Sequence, residues 1–102
     1  DQDVAKMRKS YYQRANLFVD LMNESGLSTK MPEGGLYCFP SIKSTGLSSL
    51  EFATSLVNKY KVAVVPGVSF GDEGEGYIRC CFATQLGDLI KAAERIQLFL
   101  KD

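Results

Sequence analysis

The stretch from Val62 to Ala83, VAVVPGVSFGDEGEGYIRCCFA, most constrains what this chain can fold into. An apolar run from Val62 to Val65 is closed by the turn pair Pro66-Gly67. A loop follows that holds Gly67, Gly71, Gly74 and Gly76 together with Asp72, Glu73 and Glu75. A second apolar run, Tyr77 to Ala83, carries one charge, Arg79. Short β-branched and aromatic runs bounded by Gly and Pro read as strands, so the stretch predicts strand, loop, strand. Side chains alternate along a strand, which puts Tyr77, Arg79, Cys81 and Ala83 on one face and Ile78, Cys80 and Phe82 on the other. A guanidinium in mid-strand is costly to desolvate without a partner, and no acid inside the strand can meet it. Two readings of Arg79 stay open on these grounds. Its stem covers apolar surface with the head in water, or its planar fork takes a carboxylate or phosphate by two hydrogen bonds.

The flanking segments supply layers to cover such a strand pair. Over residues 3–24, Val4, Met7, Tyr11, Ala15, Phe18 and Met22 recur every three or four positions, with Lys6, Lys9, Gln13 and Asp20 opposite. That spacing predicts an amphipathic helix, ended by Gly26 as a left-handed cap. Leu27 to Met31 reads as a short edge strand stopped by Pro32. Leu36 to Phe39 reads as a strand ending at Pro40, with Leu36 and Cys38 on one face and Tyr37 and Phe39 on the other. Ser48-Ser49-Leu50-Glu51 is a capping box, and the helix it opens carries Leu50, Ala53, Val57 and Tyr60 as its expected inward stripe, ending near Tyr60. A last helix, with Thr84 as cap, is expected to turn Leu86, Leu89, Ile90, Ala93, Ile96 and Leu100 inward. The order predicts an α+β two-layer sandwich, a small mostly antiparallel sheet with helices packed on one face.

The totals bound the function. With 102 residues the chain suits one domain, residues 1–102. Twelve basic residues balance twelve acidic ones, so no charge excess points to nucleic acid or to an anionic membrane surface. No apolar stretch approaches the roughly 20 residues of a membrane span. Three cysteines, two adjacent at Cys80 and Cys81, make a poor disulfide framework, and reduced thiols in a cytoplasmic protein fit better. The absence of histidine and of any CxxC pair argues against zinc of the usual kinds and leaves no metal set.

Catalytic groups are scarce. Without histidine no Ser-His or Cys-His nucleophile pair can form. Asp72, Glu73 and Glu75 read as solvated loop acids, since acidic side chains are mostly exposed. The glycines of GDEGEG lack the GxGxxG spacing, and the acids among them would repel a phosphate.

Three runs, PEGGLYCFP, SSLEFATSLVNKYKVAVVPGVSFG and GEGYIRCCFA, stand in an order and at a spacing that resemble the C-terminal small domain of pyridoxal-phosphate-dependent class I/II aminotransferases of fold type I. The resemblance covers nearly all of the chain, and PEGGLY, VAVVPG-x-x-FG and GYIR together form a specific set. It implies that Arg79 binds the substrate α-carboxylate, and that Gly35 and Tyr37 line the mouth of the site. Gly67, Ser69 and Phe70 fall in the PGxxFG turn, a device that positions the loop, where the glycine is expected to need a backbone conformation few residues adopt. It also implies that the cofactor-bonding lysine, the aspartate facing the pyridine nitrogen and the phosphate-binding residues lie in a large domain outside this chain. No catalytic or cofactor-binding residue is therefore assigned here, and Lys30, Lys43, Lys59, Lys61 and Lys91 read as surface residues.

The implied whole enzyme transfers an amino group between an amino acid and a 2-oxo acid and is a homodimer, and this chain alone is expected to be inactive. Related lyases that reuse the fold are also compatible. The alternative from the residues alone is a non-catalytic α+β module that binds a carboxylate ligand or a partner protein.

Overall fold

The computed structural model describes residues 2–31, 37–81 and 86–102, the side chains of 2–11 and of 86–87 aside. Helix α1 spans Gln2–Glu24. It ends as the sequence predicts: Gly26 has φ +96°, its N–H donates to the Asn23 carbonyl at 3.1 Å, and the Leu27 N–H donates to the Met22 carbonyl at 3.0 Å. That pair of bonds is the Schellman arrangement, which satisfies carbonyls the helix itself leaves over. Helix α2, Ser49–Tyr60, opens on the predicted box: the Ser48 hydroxyl accepts from the Glu51 N–H, and the Glu51 carboxylate accepts from the Ser48 N–H. Helix α3 spans Leu86–Lys101.

Three short strands, β1 (Tyr37–Cys38), β2 (Val65–Pro66) and β3 (Ile78–Cys81), form one antiparallel sheet in the order β1-β3-β2. Tyr37 pairs with Cys81 and Cys38 with Cys80 on one side, and Val65 pairs with Arg79 and Pro66 with Ile78 on the other. Ser41 opposite Tyr77 continues the first register, which sets Phe39 opposite Arg79. Proline is tolerated in β2 because that strand is an edge.

One face of the sheet is dry. Cys38, Ile78 and Cys80 join Ala15, Phe18, Val19 and Met22 of α1, Phe52 and Leu56 of α2, and Leu89, Ala93, Ile96 and Phe99 of α3 in a single core. Burying an aliphatic or aromatic side chain of this size contributes about 1.5–3 kcal/mol. The helices thus cover one sheet face and leave the other open, the α+β two-layer arrangement expected.

Several local expectations need correction. The strand expected at Leu27 to Met31 does not form. The Asn23 side chain takes both backbone groups of Thr29, donating to its carbonyl at 2.9 Å and accepting from its N–H at 2.8 Å. A ladder partner is thereby replaced by a side chain. The inward stripe of α2 is rotated: Ser49, Phe52, Ala53 and Leu56 are buried, while Leu50 is 60% exposed and Val57 is also exposed. The wider apolar payload wins, because the Phe52 ring meets the Phe99 ring edge-on at 5.1 Å in the core. In α3, Leu89, Ala93 and Ile96 turn inward as expected, Ile90 and Leu100 are only half-buried, and Phe99 completes the buried face. The run Val62 to Val65 is strand only from Val65, and Tyr77 to Ala83 is strand only over Ile78–Cys81 within the described residues. Leu36, Thr84, Phe82 and Ala83 lie outside them.

Candidate functional site on the open sheet face

Arg79 sits in the central strand, on the face that none of the described α-helices covers. Its neighbours Ile78 and Cys80 are buried, while Arg79 is half-buried and Cys81 exposed, so the alternation read from the sequence holds. The guanidinium carbon lies 4.3 Å from the centroid of the Tyr37 ring and 4.7 Å from that of the Phe70 ring, over both. Phe39 closes the group, meeting Phe70 edge-on at 6.1 Å. Among the described residues no carboxylate forms an ion pair with Arg79. Aromatic rings flank the guanidinium, and among the described residues no acceptor takes its N–H donors.

Tyr37, Val68 and Phe70 are 40%, 43% and 45% exposed, and Phe39 is exposed beside them. Two shallow grooves flank the arginine. One is lined by Phe39, Gly67, Phe70, Gly74, Tyr77 and Arg79, and the other by Tyr37, Ala63, Val64, Val65, Arg79 and Cys81. Of the sequence-predicted site residues, the structure brings Arg79 and Tyr37 together, and Gly35 lies outside the described residues. Phe70 and Phe39 were missed as site residues. The signal for Phe39 was its shared face with Tyr37, whereas Phe70, read in the PGxxFG turn as part of a device that positions the loop, was not expected against Arg79.

The glycine-rich loop is fastened rather than loose. Two 3-10 turns, Gly67–Phe70 and Asp72–Gly74, pack on each other. A Cβ on Gly67 would lie 1.8 Å from the Gly74 carbonyl oxygen and 2.5 Å from that of Tyr77. Gly67 is therefore required by the close approach of two backbones, not by the unusual backbone conformation expected of it.

Glu75 is exposed, as expected of a loop acid, but it also has a fixed partner. Its carboxylate accepts from the Ser49 hydroxyl at 2.5 Å and from the Ser49 N–H at 3.0 Å, and the same hydroxyl oxygen accepts from the Val68 N–H at 3.2 Å. The loop is thus tied at both ends to the start of α2, where the helix dipole favours a negative charge. Those hydrogen bonds from Ser49 hold the Glu75 carboxyl below its ordinary range. Asp72 and Glu73 are exposed, as expected.

Beneath the open face, Cys38 and Cys80 stand opposite each other and both are buried. The hydrogen bond with Cys38 and burial push the Cys80 thiol well above its ordinary range, so it stays protonated and is a poor nucleophile. Lys30, Lys43, Lys59, Lys61 and Lys91 are all exposed, consistent with surface roles.

Among the described residues, the open face thus carries one ring-flanked cation on the central strand, with no acid paired to it. The aromatic-amino-acid aminotransferase 2 of Thermococcus litoralis is 46% identical over 99% of this chain and 26% of its own length. An aspartate aminotransferase of Pyrococcus abyssi is 46% identical over 97% of this chain and 25% of its own length. The crystal structure of an aromatic aminotransferase from Pyrococcus horikoshii OT3 superposes with a TM-score of 0.94 at 44% identity, over 98% of this chain and 27% of that one. The chain spans about a quarter of the length of the curated relatives it matches. The sequence model of the family described as aminotransferase class I and II matches residues 1–96, and on this match and these likenesses the chain belongs to the class I and II aminotransferase family.

Proposed function

We propose that residues 1–102 are the C-terminal small domain of a longer pyridoxal-phosphate-dependent aminotransferase, in which Arg79 holds the α-carboxylate of the substrate. The observation that carries this reading is the state of the arginine: half-buried, fixed over two rings and without an internal carboxylate among the described residues. A permanent acid partner would compete with the substrate for the same fork. Two charge-assisted hydrogen bonds of about 1.5–3 kcal/mol each fix the carboxylate and so orient the α-carbon, and positioning of this kind lowers a barrier by several kcal/mol. Tyr37 lines the carboxylate's approach, and Gly35 belongs with it in the same reading.

In this reading the described residues form no cradle for pyridoxal phosphate. The N–H groups of Gly67, Val68, Gly71, Gly74, Glu75 and Tyr77 all donate within the protein, and the loop that carries them is acidic. In this reading the cofactor is held by the rest of the enzyme, where it supplies an electron sink for chemistry at the α-carbon. The substrates are an amino acid and a 2-oxo acid. The partners are the large domain, which shares the site and meets the apolar rim of Tyr37, Val68 and Phe70, and a second subunit of a homodimer. No described helix is long and apolar enough to cross a membrane, and three cysteines outside any disulfide suit the reducing cytoplasm.

The test is Arg79→Ala in the intact enzyme, assayed with its best amino acid substrate and with the corresponding amino acid amide. The wild type is expected to prefer the acid strongly, and the variant to lose most of that preference. Equal preference in both proteins would remove Arg79 from the site.

A further inference from the structure

We infer that Phe70 is a positioning residue for Arg79: its ring keeps the guanidinium oriented for a carboxylate while leaving its donors unused. The inference rests on the reading of Arg79 given above. An arginine has a long flexible stem, and one without an ionic partner samples many rotamers unless something restrains it. An acid could restrain it, but would consume the in-plane N–H donors that a substrate carboxylate needs. An aromatic ring restrains it through the face of the guanidinium and spares the edges. The Arg79 guanidinium carbon lies over the Phe70 ring, 4.7 Å from its centroid, and over the Tyr37 ring at 4.3 Å, one ring coming from the loop and the other from β1.

The ring is itself well seated. It meets Phe39 edge-on, and the turn that carries it is fixed by the Gly67 N–H on the Tyr77 carbonyl, the Val68 N–H on the Ser49 hydroxyl and the Gly71 N–H on the Val68 carbonyl. Glu75 holds the same serine from the other side. A chain of contacts therefore runs from the first turn of α2, through the glycine-rich loop, to the arginine.

The experiment uses the intact enzyme loaded with its cofactor, with Phe70→Leu, Phe70→Tyr, and Phe70 replaced by progressively fluorinated phenylalanines. Steady-state KM and kcat are measured for the best amino acid substrate. Phe70→Leu keeps apolar bulk but has no ring, and is expected to raise KM about two- to fivefold with a smaller change in kcat. Phe70→Tyr is expected to restore KM, and the fluorinated series to raise it in steps as the ring face loses negative charge. The fluorinated rings are nearly isosteric, so they keep the test sound should Phe70→Leu fold poorly. An unchanged KM across the series overturns the inference, as does an equal loss for the leucine and tyrosine variants. Arg79→Ala run alongside separates two failures. If it raises KM strongly while the Phe70 series does nothing, only the role of Phe70 falls. If it too leaves KM unchanged, the carboxylate reading falls and takes this inference with it.

Discussion

Replacing Gly67 by alanine is expected to be among the most damaging single changes in the loop, and the reason is geometric. The added Cβ would stand 1.8 Å from the Gly74 carbonyl oxygen, 2.5 Å from the Tyr77 oxygen and 2.8 Å from the Gly74 carbonyl carbon. All three are backbone atoms, so no rotamer change relieves them, and one turn must move away from the other. Overpacking of this kind costs typically about 1–3 kcal/mol. The same movement strains the Gly67 N–H bond to the Tyr77 carbonyl, now 2.8 Å, and losing it adds about 1 kcal/mol. The expected total of about 2–4 kcal/mol is a large share of the roughly 5–15 kcal/mol that stabilises a domain of this size. Urea unfolding of the 102-residue chain should show it as a lower midpoint at unchanged slope, and thermal unfolding as a drop of about 8 °C or more. Gly26→Ala is the control. Its φ of +96° strains any side chain, but nothing lies within 4 Å of the new Cβ, so its cost is limited to about 1–2 kcal/mol. A Gly67→Ala protein as stable as the Gly26→Ala protein would refute the close-approach argument.

Other outcomes follow from the same structure. Leu56→Ala should lose about 2–5 kcal/mol and Leu50→Ala no more than about 0.5 kcal/mol, and the reverse order in urea melts would mean α2 faces the core as the sequence alone suggested. Arg79→Ala should cost the isolated domain about 1 kcal/mol in lost ring contacts; a loss of about 3–5 kcal/mol would mark a buried ion pair instead. Because hydrogen bonds from Ser49 depress the Glu75 carboxyl, its contribution is present above the ordinary carboxylate pKa of 4.5 and is lost as pH falls through the lower folded value. Glu75→Gln should therefore flatten the acid limb of a stability–pH profile, and an unchanged limb would show that the tie to Ser49 is not formed in solution. Mixed with pyridoxal phosphate, the 102-residue chain should show no stoichiometric absorption band abolished by a single lysine substitution, and no transaminase activity.

The sequence by itself determined what depends on near neighbours in the chain. The capping box at Ser48 and Glu51 and the cap at Gly26 each involve residues a few positions apart, so their chemistry was legible without the fold. Alternation alone set Tyr37 on the face opposite Cys38 and Arg79 on the face opposite Ile78 and Cys80, because a strand fixes side-chain direction residue by residue. The order of motifs then carried the family.

What only the tertiary structure decided depends on residues far apart. Helix α2 has apolar side chains on two overlapping stripes, and which stripe is buried was settled by Phe99 arriving from α3, 47 positions away from Phe52. Glu75 is the exposed loop acid the sequence suggested, but its tie to Ser49, 26 positions away, exists only in the fold. Gly67 looked like a residue of unusual backbone conformation until two 3-10 turns were seen to press together without room for a methyl group. Arg79 was legible as an outward charge but not as a restrained one, since its restraint comes from a ring on an irregular loop. Irregular backbone has no period, so the direction of Phe70 could not be read from its position in the sequence. Long-range packing supplied it.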